Sequence, residues 1–121
     1  MSKIVQAVNS MISNSDNITN AIRGQDREIF FLYKDKYKWS MTRRNDGTHL
    51  LWFYPGNQSI EEMATYEPED WEGTPMVVYK DEEIGTKEAK ASFAELFTII
   101  TEKLYGINEV LDDIISDEDS R

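Results

Sequence analysis

Residues 28–54 read EIFFLYKDKYKWSMTRRNDGTHLLWFY, and this stretch decides the fold. Ile29, Phe31 and Tyr33 alternate with Phe30 and Leu32, while Tyr37, Trp39 and Met41 alternate with Lys38, Ser40 and Thr42. A period of two belongs to strands, whose successive side chains leave opposite faces. Asn45-Asp46-Gly47 is a strong turn signal, and it precedes a third run, His49-Leu50-Leu51-Trp52-Phe53-Tyr54, which Pro55-Gly56 stops. A three-residue loop at 34–36 sets Tyr33 opposite Tyr37, Phe31 opposite Trp39 and Ile29 opposite Met41. A three-residue loop at 45–47, with Gly47 at positive φ, sets Met41 opposite Leu51 and Trp39 opposite Phe53. Both turns therefore gather Ile29, Phe31, Tyr33, Tyr37, Trp39, Met41, Leu51 and Phe53 on one face of a β-meander.

On either side of the meander the period changes. Ile4, Val8, Met11, Ile18 and Ile22 follow helical spacing, so residues 3–22 read as helix, interrupted at 13–17 by poor helix formers that suit a cap or turn. Beyond the meander, Ser59 with Glu62 forms a capping box for a short helix that Pro68 ends. Residues 67–75 read as a loop carrying Trp71, and 76–79 as a further strand. Thr86 is the expected N-cap of a long C-terminal helix whose stripe of Ala89, Phe93, Leu96, Phe97, Ile100 and Leu104 continues in phase past Gly106 through Ile107, Leu111 and Ile114; Gly106 either ends one helix, with Asn108 capping another, or is tolerated within it. The expected fold is α+β: an antiparallel sheet of about four strands packed against N- and C-terminal helices, in the order α-β-β-β-α-β-α. Residues 1–121 form one domain, with 116–121 expected to fray as an acidic tail. In element order alone the chain resembles the type III secretion chaperones.

Composition bounds the chemistry. The chain has 121 residues, 13 basic and 23 acidic side chains, and a net charge of −10. Residues 1–55 carry eight basic and five acidic groups (+3), and residues 56–121 five basic and eighteen acidic groups (−13). Such a split presents faces of opposite sign, and net repulsion disfavours direct nucleic-acid binding. With no cysteine, a thiol nucleophile, a disulfide framework and Cys-based metal sites are excluded. Apolar runs reach only five residues, as at 50–54, so no membrane span is expected and a cytoplasmic protein is the reading.

The candidate binding residues lie on the other face of the meander, which carries Phe30, Leu32, Leu50, Trp52 and Tyr54 where a one-sided sheet would be polar. Either the chain covers these rings itself, or they await a partner. Glu69, Asp70 and Trp71 on the proline-bounded loop add an aromatic among carboxylates. The preferred reading is a small acidic, non-enzymatic protein-binding module (an inhibitor, an immunity-type protein or a chaperone-like protein) without cofactor, metal or catalytic residue. Its partner is another protein, and docking of the subunit's own acidic half would make a homodimer. The rival reading is a small-molecule-binding protein or enzyme, its pocket lined by Trp39, Trp52, Tyr54, Tyr66 and Trp71 around His49, the only histidine. A concave pocket with His49 in hydrogen-bond reach of a carboxylate would favour that rival. An acidic mimic of nucleic acid is a further alternative.

Overall fold

Each hairpin of the meander is closed by residues that adopt the backbone its turn needs. In the computed structural model, which describes residues 2–119, Lys34 and Asp35 take left-handed φ angles of 57° and 59°, and Gly47 takes 91°. The Asp46 carboxylate accepts the Thr48 N–H at 2.9 Å, bracing the second turn. The resulting strands, β2 (Ile29–Tyr33), β3 (Tyr37–Arg43) and β4 (His49–Tyr54), pair in the register expected from alternation: Phe31 faces Trp39, and Trp39 faces Phe53. A strand after the meander, β5 (Val77–Lys80), adds to β4 with Val77 opposite Phe53 and Val78 opposite Trp52. The protein is α+β, an antiparallel sheet with helices at both ends of the chain.

The N-terminal segment corrects one expectation. Helix α1 (Lys3–Ser13) ends at Asn14, a 3-10 turn follows, and residues 18–23 form strand β1 (Ile18–Arg23) instead of a second helix. The sheet therefore has five strands in sequential order. The misleading feature is the spacing of Ile18 and Ile22, which mimics a helical turn. A bulge between Thr19 and Ile22, with Asn20 at φ 56°, shifts the register. Ile18 consequently pairs with Tyr33 and enters the main core, while Ile22 pairs with Phe30 on the opposite face.

Two layers of apolar packing result. On one face, Ile18, Ile29, Phe31, Met41 and Leu51 meet Val8 and Met11 of α1, and Phe93, Leu96 and Ile100 of α4 (Lys87–Tyr105). Helix α4 is capped as expected, the Thr86 hydroxyl accepting the Ala89 N–H at 3.0 Å. On the other face, α2 (Ile60–Ala64) lays Ile60 and Met63 against Phe30 and Tyr54. Between β5 and α4 stands a single helical turn, α3 (Asp81–Ile84).

Gly106, at φ 64°, terminates α4, and a separate helix α5 (Ile107–Asp119) begins at once. The apolar stripe that runs in phase past Gly106 is therefore divided. Phe93, Leu96 and Ile100 are buried, whereas Val110, Leu111, Ile114 and Ile115 are 46–59% exposed. Residues 116–119 of the expected acidic tail continue α5, and 120–121 lie outside the described residues. Among the described residues no helix is long and apolar enough to cross a membrane.

Candidate functional site

Two cross-strand pairs in the meander, Phe30–Ser40 and Ser40–Trp52, place a hydroxyl in the middle of an aromatic surface. A polar atom in such a place must find a partner, because an unpaired buried hydroxyl costs about 1–3 kcal/mol. The partner of Ser40 is Glu28, which enters β2. The Ser40 hydroxyl donates to Glu28 Oε2, the Tyr54 hydroxyl donates to the same oxygen at 3.1 Å, and the two hydroxyls lie 2.8 Å apart. Burial pushes the Glu28 carboxyl above its ordinary value, the hydrogen bonds from Ser40 and Tyr54 opposing the shift and Asp26 adding to it. The Tyr54 hydroxyl is also pushed up, by burial first and then by the Glu28 charge. Among the described residues Glu28 forms no ion pair.

The segment after α2 roofs this network. Pro68–Trp71 is a 3-10 turn braced by Asp70, whose carboxylate accepts the Glu67 N–H at 2.9 Å. The turn delivers Trp71 onto Phe30 (ring centroids 6.3 Å, planes 5° apart) and Tyr54 (5.7 Å, 27°), with Tyr66 edge-on at 4.9 Å. Two adjoining hollows, of about 260 and 310 Å³, share Glu28, Trp52 and Trp71. Tyr54 and Met76 complete the first, while Tyr66 and Thr42 line the second. The outcome is an aromatic-walled recess with, at its base, a carboxyl group that accepts two hydroxyls and meets no cation among the described residues.

This geometry corrects part of the expected binding face. Phe30, Leu50 and Tyr54 are buried within the chain and form core, so none of the three is offered to a partner. Leu32, Trp52 and Trp71 stay half-buried, and Glu69 and Asp70 are exposed on the roof. Trp71 is both lid and wall. Trp52, Tyr54, Tyr66 and Trp71 do come together, but Trp39 lies on the opposite face against Phe53, and His49 is elsewhere. Glu28 carries no periodic signal because it precedes the alternating run; the lone hydroxyl of Ser40 amid rings is the one pointer to it in the sequence.

His49 pairs with Arg43 across the strands and is buried. Its Nδ1 lies 3.2 Å from Asp81 Oδ2, and its backbone N–H donates to Asp81 Oδ1 at 3.1 Å. The pair borders a cavity of about 360 Å³ shared with Thr48, Glu82 and Lys90, and the Thr48 hydroxyl donates to Glu82 at 3.0 Å. No cluster of three or more potential metal ligands exists among the described residues. Comparison with known protein families, with curated proteins and with solved structures gives no match, so the functional reading rests on this geometry.

Proposed function

We propose that the protein is a small acidic, non-enzymatic protein-binding module of inhibitor, immunity or chaperone-like type. Its recess at Glu28 receives a basic side chain of the partner. The observation that carries this reading is a carboxyl group that has no cationic partner among the described residues and is enclosed by Trp52, Trp71 and Tyr66. A guanidinium or ammonium over aromatic faces and against a carboxylate gains both cation–π and charge-assisted hydrogen-bond energy. The exposed carboxylates of Glu69, Asp70 and Glu72 on the roof would steer such a partner in. The apolar stripe of α5 supplies a second association surface, which a second copy of the chain suits by charge.

The test uses tryptophan fluorescence with a short peptide carrying two arginines and its glutamine counterpart. Saturable quenching by the arginine peptide alone is expected, lost in Glu28→Gln and in Trp71→Leu while far-UV circular dichroism stays native. An Asp112→Asn/Asp113→Asn variant should bind unchanged. If it weakens binding as much as Glu28→Gln does, the attraction is diffuse and the recess is not the site.

The rival reading, a small-molecule or catalytic site at His49, draws support from the His49–Asp81 pair beside a cavity. An imidazole oriented by a carboxylate is the arrangement of a general base. Yet Asp81 holds the backbone and the ring of His49 at once, which is also how a clamp between β4 and α3 is built. The clamp occupies both carboxylate oxygens of Asp81, so the protein-binding reading is preferred.

A further inference from the structure

The chain has five arginines, and four of them, Arg23, Arg27, Arg43 and Arg44, line one cavity of about 310 Å³. The fifth, Arg121, lies outside the described residues. β2 lies between β1 and β3 in the sheet, and its pairing with both brings together residues that are twenty positions apart in sequence. Arg23 pairs with Ile29, and Ile29 with Met41, so Arg23 and Arg43 share the face that α4 crosses. Ile29 and Phe97 form the apolar floor. In a chain of net charge −10, no carboxylate lies within ion-pair distance of the four guanidiniums among the described residues, the charge of Arg44 reaching only the exposed Asp46.

Two features hold the cavity in shape. Arg23 donates to the Tyr105 hydroxyl at 2.7 Å and stacks toward that ring, which fixes one guanidinium at the rim. Arg27 sits in a turn where it and Asp26 both take left-handed φ angles, 66° and 52°, a backbone that non-glycine residues seldom adopt. Four like charges around one cavity repel each other, and a bound anion relieves that repulsion.

We infer that this cavity binds a small molecule bearing a multiply charged phosphoryl group, with its organic body against Ile29 and Phe97. The residue type argues for this ligand class. Guanidinium is planar, always charged and presents paired N–H donors that match phosphate oxygens, whereas the lysines of the chain lie elsewhere. Four such groups match a diphosphate better than one carboxylate. The inference stands apart from the recess at Glu28, with which the cavity shares no lining residue.

The experiment titrates the full chain with inorganic pyrophosphate, following amide shifts by NMR and heat by calorimetry. Saturable binding is expected, with shifts confined to residues 23–29, 43–47 and 97–101. Arg23→Gln/Arg43→Gln should weaken it about tenfold or more, as loss of charged hydrogen bonds does. Lys34→Gln/Lys36→Gln changes the net charge equally and should leave it intact. Failure to saturate, or an equal loss in the lysine variant, overturns the proposal. So does citrate binding where pyrophosphate does not, which would make the ligand a carboxylate. An oligonucleotide binding far tighter than pyrophosphate would point to a macromolecule and likewise overturn it. If the arginine variant changes the solution mass of the free protein, the cavity is a contact between copies, and the inference falls.

Discussion

Glu28 is the residue at which chemistry and stability meet. Its carboxyl is raised above 4.5 by burial, so the folded chain holds that proton more tightly than the unfolded chain does. A folded-state value above the unfolded one means the contribution is fully present below the unfolded value and is lost as pH rises through the folded one. Glu28→Gln is neutral at every pH and keeps an acceptor for Ser40 and Tyr54. Denaturation of both proteins from pH 4 to pH 7.5 should show the difference moving in favour of the variant as pH rises; a pH-independent difference would refute the shift. The unpaired charge that lowers stability is what a cationic guest would compensate, so the arginine peptide should bind better across the same rise. Sequence could not show this residue's burial. Trp71 covers it from forty-three positions away, and no local pattern states where that turn lands.

At the scale of elements, the meander was legible because two turns specify one register independently, and a slip at either would have sent its rings to opposite faces. Strand β1 was not legible, since its bulge turns a strand into something spaced like a helix. The shortest element, α3, shows how little a single turn can hold by itself. Asp81 binds it to β4 through both nitrogens of His49 that face it, Glu82 reaches Thr48, and Gly85 at φ 79° ends it. Removing the carboxylate in Asp81→Ala leaves buried donors without that acceptor, a loss of about 2–3 kcal/mol. Chemical denaturation should report it, together with faster amide exchange at His49. A loss within a few tenths of a kcal/mol would show that the pair is no clamp and would return weight to the catalytic reading.

For the molecule as a whole, charge and apolar surface are arranged in register with each other. Periodicity marked α5 as amphipathic, but periodicity reports a stripe and not whether anything covers it. Here Val110, Leu111, Ile114 and Ile115 face solvent, and the described polar side chains between them include Glu109, Asp112, Asp113 and Asp117, with no cation among them. Pairing α5 with α5 of another copy would set carboxylates against carboxylates, which costs energy. The same chain carries a better complement at the 34–36 hairpin. There Tyr33, Tyr37, Trp39, Phe53 and Tyr79 line an open groove of about 360 Å³ edged by Lys34, and Val77, beside Phe53, is 44% exposed. A reciprocal exchange, each α5 in the other copy's groove, would close with two-fold symmetry. Light scattering should therefore give twice the 14.1 kDa chain mass, falling toward the monomer as salt rises. Leu111→Asp/Ile114→Asp should give a monomer with native circular dichroism, and Lys34→Glu should weaken the dimer without unfolding it. A monomeric wild type at sub-millimolar concentration would leave α5 to another protein, and a dimer indifferent to Lys34→Glu would show that the helix docks elsewhere.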